Sequence, residues 1–142
     1  MFPSRRATMG GDVFRDEYSL AFDGTDDYVD LGQTFSYNAH TISAWIKVVD
    51  DSGNKAVFDA RDANNDGFQI YLGGDEKVYY SVDNADAASS SSIAANVWHH
   101  IICTNDGSNS YIYVNGVQVG TADTSGESVS TTTSARIAAR NH

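Results

Sequence analysis

A two-residue repeat of apolar side chains, restarted again and again along the chain, limits what this sequence can fold into. In residues 40–48, Ile42, Ala44, Ile46 and Val48 fall on one side of an extended chain, and Thr41, Ser43, Trp45 and Lys47 fall on the other. That is the period of a strand with one buried face. Strand-sized segments recur at residues 18–22, 28–31, 56–58, 68–72, 77–82, 98–104, 111–114 and 117–122, each closed by Gly, Asn, Asp or Ser. Residues 135–139 read as a last, weaker strand, and no stretch carries a helical period of useful length. Asn115-Gly116 between two valines is the strongest turn signal, because both central residues of a type I′ hairpin need positive φ. Residues 83–95 are small and polar, with four serines from Ser89 to Ser92, and read as a long connection with a short edge strand at its end. The expected fold is all-β, an antiparallel sandwich formed by residues 18–142 and preceded by a flexible arm, residues 1–17.

At 142 residues the chain is long enough to build one core without staples. Its one cysteine, Cys103, rules out an internal disulfide, and in the run Ile101-Ile102-Cys103 it reads as a buried structural thiol. Nineteen acidic residues against nine Lys and Arg give a net charge of −10. Such a charge repels phosphate backbones and argues against nucleic acid as a partner, while leaving oxygen ligands for Ca²⁺. No apolar run approaches the roughly 18 residues of a membrane helix, so membrane insertion is not expected. The first residues lack the apolar centre of a signal peptide, so for a protein that leaves the cell the export signal is expected either outside this sequence or in a larger parent chain.

Asp62-Ala63-Asn64-Asn65-Asp66-Gly67 copies the opening of an EF-hand loop and makes Asp62, Asn64 and Asp66 candidate metal ligands. Its twelfth position is Gly73 rather than the closing Glu, so an ordinary hairpin loop is the competing reading. For a sugar, whose C–H faces pack on aromatic rings while its hydroxyls bond carboxylates and amides, the candidates are Tyr71 and Tyr80 with Asp59, Arg61, Asp83 and Asn84. Trp45, Tyr79 and Tyr113 are further aromatics of interest, although Trp45 and Trp98 are expected mainly in the core or stacked on a sheet. Adjacent His99 and His100 point to opposite faces and cannot share one metal, which leaves His100 as a hydrogen-bonded structural residue.

Four segments in order, 19–31 (SLAFDGTDDYVDL), 41–47 (TISAWIK), 98–104 (WHHIICT) and 111–117 (YIYVNGV), resemble the laminin G-like, concanavalin A-like lectin/glucanase superfamily. The resemblance covers about residues 18 to 139. It implies a jelly roll of two curved antiparallel sheets, used in extracellular, cell-surface and virion proteins to bind a glycan or a protein. It also implies a structural Ca²⁺ at the turn containing Asp23, Gly24, Asp26 and Asp27. The family's glucanases carry paired carboxylates spaced Glu-x-Asp-x-Glu, but the only glutamates here, Glu17, Glu76 and Glu127, have no such spacing. A non-catalytic carbohydrate-binding or adhesion module is therefore expected, with a structural or protein-interaction domain of a phage or cell-surface protein as the alternative. Family members add a final strand beside the first one. The sequence ends at His142 without it, so an open edge at residues 18–22 is expected, covered either by the arm of residues 1–17 or, the favoured reading, by a second copy in a homodimer.

Overall fold

The computed structural model describes residues 19–49, 53–127 and 129–139. Ten strands form two antiparallel sheets, and no described segment is helical or crosses a membrane as a helix. In chain order they are β1 (Val29–Asp30), β2 (Ala39–Ile46), β3 (Lys55–Arg61), β4 (Gly67–Leu72), β5 (Val78–Val82), β6 (Ala85–Ala88), β7 (His99–Asp106), β8 (Asn109–Val114), β9 (Val117–Asp123) and β10 (Arg136–Ile137). One sheet runs β1-β10-β3-β4-β5-β6 and the other β2-β7-β8-β9. The expected antiparallel sandwich is what forms.

The core lies where the two sheets face each other. Phe68, Ile70, Leu72, Val78, Tyr80 and Val82 of the six-stranded sheet pack against Ile101, Cys103 and Ile112 of the four-stranded one, all buried. The alternation read in residues 40–48 holds through β2, where Ile42, Ala44 and Ile46 turn inward and Thr41, Ser43 and Trp45 outward. Cys103 is fully buried, and that burial pushes its thiol pKa well up, which keeps it an inert core residue.

Several expectations are corrected. Residues 19–22 form no strand, and Leu20 is exposed, while Tyr18 and the arm of residues 1–17 lie outside the described residues. The edge at β1 is two residues long, so the open edge on which a homodimer was expected to form is not there among the described residues. The edge strand expected late in residues 83–95 instead starts at once, as β6, after a two-residue turn in which Asp83 takes φ 50. Ala and Asp are weak strand formers. Their small size is what lets β6 close on the other sheet: Ser90 N–H donates to the Val119 carbonyl, and a side chain at Gly120 would meet the Ala88 carbonyl oxygen at 2.5 Å. The strand expected over residues 135–139 shortens to β10, which pairs with both β1 and β3.

Asn115 and Gly116 take φ of 50 and 83 and pair Val114 with Val117, the expected hairpin. The Asn115 carboxamide also accepts the His100 N–H at 2.9 Å, tying the turn to β7. Gly116→Val is expected to lower the melting temperature by several degrees, because a β-branched residue resists positive φ. An unchanged melting curve would contradict that role.

His40 bridges the sheets from β2. Its Nδ1 lies 2.7 Å from the Tyr37 carbonyl, which can only accept, so Nδ1 carries the proton and Nε2 accepts from the Tyr80 hydroxyl at 2.5 Å. The ring also stacks on Phe68 with centroids 4.0 Å apart. Burial holds the His40 pKa below its ordinary 6.5, the Tyr37 carbonyl opposing in smaller measure. The unfolded chain therefore takes up this proton first as pH falls, and stability drops from about pH 6.5 downward until the folded pKa is passed. The fall in melting temperature on acidification through that window is expected to be smaller in His40→Gln than in the parent. Equal slopes in the two proteins exclude His40 as the source.

Candidate functional site

The residues proposed from sequence as a ligand set do not come together. Asp59 and Arg61 of β3, and Tyr71 of β4, sit on the face of the six-stranded sheet that looks away from the other sheet. Tyr80 sits on the opposite, core face with no exposed surface, because strand parity sends neighbours Tyr79 and Tyr80 to opposite sides. Asp83 and Asn84 form the β5–β6 turn, with Asn84 Nδ2 donating to Asp83 at 2.7 Å.

Nor are Asp59 and Arg61 available to a ligand. The register aligns Asp30, Arg136, Asp59, Gln69, Ser81 and Asp86 in one polar row across all six strands. Asp59 and Gln69 have no exposed surface, and Arg61 is 8% exposed. Gln69 Nε2 donates to Asp59 at 3.1 Å, Arg61 donates to Gln69 at 2.5 Å, and Arg61 Nε stands 3.6 Å from Asp59. Ser81 donates to Asp86, and Arg136 pairs with Asp30 at 3.6 Å. Beside this row Tyr71 and Tyr79 stack in parallel at 4.9 Å, with the Tyr79 hydroxyl on Asp75. That bond raises the Tyr79 pKa and helps to lower that of Asp75.

Of the metal candidates, Asp23, Asp26 and Asp27 converge: one ligand oxygen from each lies within 4.8 Å of the others, all exposed. The turn itself already uses some of this capacity. Asp23 Oδ1 accepts the Thr25 and Asp26 N–H groups and Asp27 Oδ2 accepts the Asp23 N–H, while Gly24 supplies φ 76. These backbone bonds, led by that from Thr25, hold the Asp23 pKa below the ordinary carboxylate value. The loop holding Asp62, Asn64 and Asp66 is instead a tight β3–β4 hairpin. Asp62 N–H donates to the Asp66 carbonyl, Asn65 N–H to the Asp62 carbonyl, and Asp62 Oδ1 accepts the Asn64 N–H. The chain enters β4 at Gly67, so the positions that would close an EF-hand ring are strung along a strand and cannot wrap a cation.

Two surfaces that the sequence reading did not assemble are open. One lies at the outward face of the four-stranded sheet. Trp45 is 64% exposed and Trp98 45%, so neither is a core residue, while Trp45 takes the other expected place, stacked on its sheet. The Trp45 ring stacks on His100 at 5.0 Å and 18°, and His100 Nε2 is held at 2.8 Å by Ser43 Oγ, so His100 is the hydrogen-bonded structural residue expected. Thr41 and Thr104 continue the outward rows, their hydroxyls bonded at 2.9 Å, and Lys47 Nζ lies 5.6 Å from the Trp98 ring centre. The other surface is a polar cleft of about 190 Å³ at the opposite end of the same sheet, reached by Asn38, Thr124 and Glu127. The alternation in β2 could have found Trp45 outward. No spacing rule joins Asn38 to Glu127.

Residues 23–142 match a laminin G family model described as the concanavalin A-like lectin/glucanases superfamily. Among solved structures, the chain is similar to the crystal structure of HCR/D-Sa-GBL1/C, with 18% identity over 70% of this chain and 27% of that one and a TM-score of 0.57. It is also similar to the carbohydrate-binding module CBM66 from Bacillus subtilis, with 16% identity over 78% of this chain and 76% of that one and a TM-score of 0.50. The chain thus spans about a quarter of the first of these proteins, and at such identities the likeness is one of fold. No curated protein sequence matches it. With the family match covering most of the chain and the two-sheet sandwich in place, the protein belongs to the concanavalin A-like lectin/glucanase superfamily.

Proposed function

We propose that this domain is a non-catalytic carbohydrate-binding module of an extracellular, cell-surface or virion protein, and that it binds glycan chains on the outward face of the four-stranded sheet. The observation that carries this reading is Trp45: a large ring, mostly exposed, held in place by its stack on His100, with Ser43 next along the same outward row and Thr41 and Thr104 farther along it. A pyranose lays its C–H face on such a ring, and the neighbouring hydroxyls meet its own. A fixed aromatic loses little conformational entropy on binding, which favours this residue over a mobile one. The similarity in fold to a carbohydrate-binding module supports the same reading.

The non-catalytic part rests on the carboxylates. Glycosidases pair two Asp or Glu carboxyl groups, about 5 Å apart in retaining enzymes and somewhat more in inverting ones; Asp23, Asp26 and Asp27 stand that close, but in an exposed turn where Asp23 and Asp27 already hold backbone N–H groups. Glu76 lies in the turn before β5, whereas Glu127 accepts the Asn84 N–H in the turn after it, so the two stand at opposite ends of that strand. Glu17 lies outside the described residues.

A second reading has one observation in its favour. Val49, Val97, Trp98 and Val117, all substantially exposed, gather with Trp45 at one end of the four-stranded sheet, a composition that also suits contact with another protein. Trp45→Ala separates the two. It is expected to weaken binding to the best polysaccharide on a glycan array by about tenfold, near 1.4 kcal/mol, while leaving the melting temperature within a degree or so. Failure of the parent domain to bind any glycan on the array, with Ca²⁺ or with chelator, removes the carbohydrate reading and leaves the protein-contact one.

Structural Ca²⁺ belongs to this proposal at Asp23, Asp26 and Asp27. Three carboxylates give three of the six to eight oxygens that such an ion takes, and backbone carbonyls and water would supply the rest. Millimolar Ca²⁺ is expected to raise the melting midpoint by mass action, and Asp27→Asn to abolish the rise. A midpoint that is the same in Ca²⁺ and in chelator excludes the ion.

A further inference from the structure

We infer that the polar cleft at the far end of the four-stranded sheet is a second, separate carbohydrate site, with room for about one sugar unit. The inference rests on the reading of the domain as a carbohydrate-binding module but uses a different surface. Antiparallel pairing puts the cleft and the Trp45 platform at opposite ends of the same strands. Trp45 pairs with His100 near the end of β2, whereas Ala39, next to Asn38, pairs with Asp106 at its start.

The cleft encloses about 190 Å³, far more than one water needs. Its walls come from three loops distant in sequence: Asn38 before β2, the β7–β8 turn with Gly107, and the segment after β9 with Thr124, Gly126 and Glu127. A polar network fixes its base. Asn105, 3% exposed, donates from Nδ2 to Ser110 Oγ at 3.2 Å and to Thr124 Oγ1 at 2.9 Å, and its Oδ1 accepts the Gly107 N–H at 2.6 Å. Thr124, also 3% exposed, anchors the third loop by donating its N–H to the Ser108 carbonyl and accepting that of Glu127. These bonds hold the cleft open in the absence of any ligand, so binding costs little ordering of the loops.

The chemistry on the walls alternates. Thr124 Oγ1 accepts from Asn105 and keeps its own proton to give; Glu127 Oε2 takes the Asn84 N–H and leaves Oε1 as an acceptor. The exposed Asn38 carboxamide can do both. Gly107 and Gly126 stand at φ 94 and 88 with open space where a side chain would be, which leaves their backbone accessible. Buried Val129 provides an apolar patch. A hydroxyl group is at once donor and acceptor, and a sugar ring carries several side by side around an apolar C–H face. An inorganic anion would meet the Glu127 carboxylate, and a bare cation would find one carboxylate and no second.

The test is titration of the ¹⁵N-labelled domain with methyl α-glucoside, methyl α-galactoside, methyl α-mannoside and, as a control, glycerol. At least one glycoside is expected to move the Gly107, Gly126 and Glu127 amide resonances saturably. Glu127→Gln and Asn38→Ala are each expected to weaken that binding at least about fivefold, and Trp45→Ala to leave it unchanged. Asn38 is exposed, so its variant should keep the parent melting temperature and guards against a folding artefact. Shifts confined to the Trp45 and His100 region would overturn the second site while leaving the carbohydrate-binding reading intact. Saturation by glycerol with equal affinity, or no saturable shift with any glycoside, overturns it as well. Loss of polysaccharide binding to the Trp45 face is read separately on the glycan array.

Discussion

Mutual burial of two sheet faces is the constraint on which the rest of this structure depends. Each strand can give only alternate residues to the interior, so Ile70, Tyr80, Ile101 and Ile112 face inward only if Gln69, Ser81, Ile102 and Tyr113 face outward. A slip of one residue in any strand would exchange the two sets. Tyr80 and His40 add a polar tie within this apolar layer, and a slip of either strand would turn one group outward and leave the other buried without its partner, at a cost of about 1 to 3 kcal/mol.

The same parity divides the molecule's polar chemistry into two kinds. On the six-stranded sheet it has become structure: the row from Asp30 through Arg136, Asp59, Gln69 and Ser81 to Asp86 crosses every strand and spends its hydrogen bonds within the sheet. Gln69 and Asp59 are satisfied there and withdrawn from solvent, as buried polar groups must be. On the four-stranded sheet and its loops polar residues reach the surface, as Ser43 and Thr41 along the row of Trp45 and as the walls of the end cleft. A domain of this construction can present two recognition surfaces without moving a strand.

Much of the fold was legible in advance because its signals are local. The two-residue period of β2, the apolar run of β7 and the Asn115-Gly116 turn each require only neighbouring residues to be read, and all three stand in the structure. β6 was misplaced because Ala85-Asp86-Ala87-Ala88 has no strand propensity of its own and is held by β5 on one side and by its approach to Gly120 on the other. The alternation of Trp45 with Ile42, Ala44 and Ile46 points it outward, and so decides between the core and the sheet surface, the two places that the general habits of tryptophan leave open. Tyr80 and half-buried Tyr71 share a residue type, but their strand positions send them to opposite faces.

The sequence by itself determined the class of fold, most of the longer strands, the chief hairpin and the buried state of Cys103, since each follows from periodicity or backbone preference along a short stretch. It also marked Asp23, Asp26 and Asp27 as a cluster, because one turn holds all three. Only the tertiary structure decided that Asp59 and Arg61 are enclosed, that the Asp62 loop is a hairpin, and that Asn38, Thr124 and Glu127 share a cleft. Those facts depend on which strands become neighbours and in what register, and pairing between distant segments is set by the summed burial of whole faces rather than by any residue's immediate sequence.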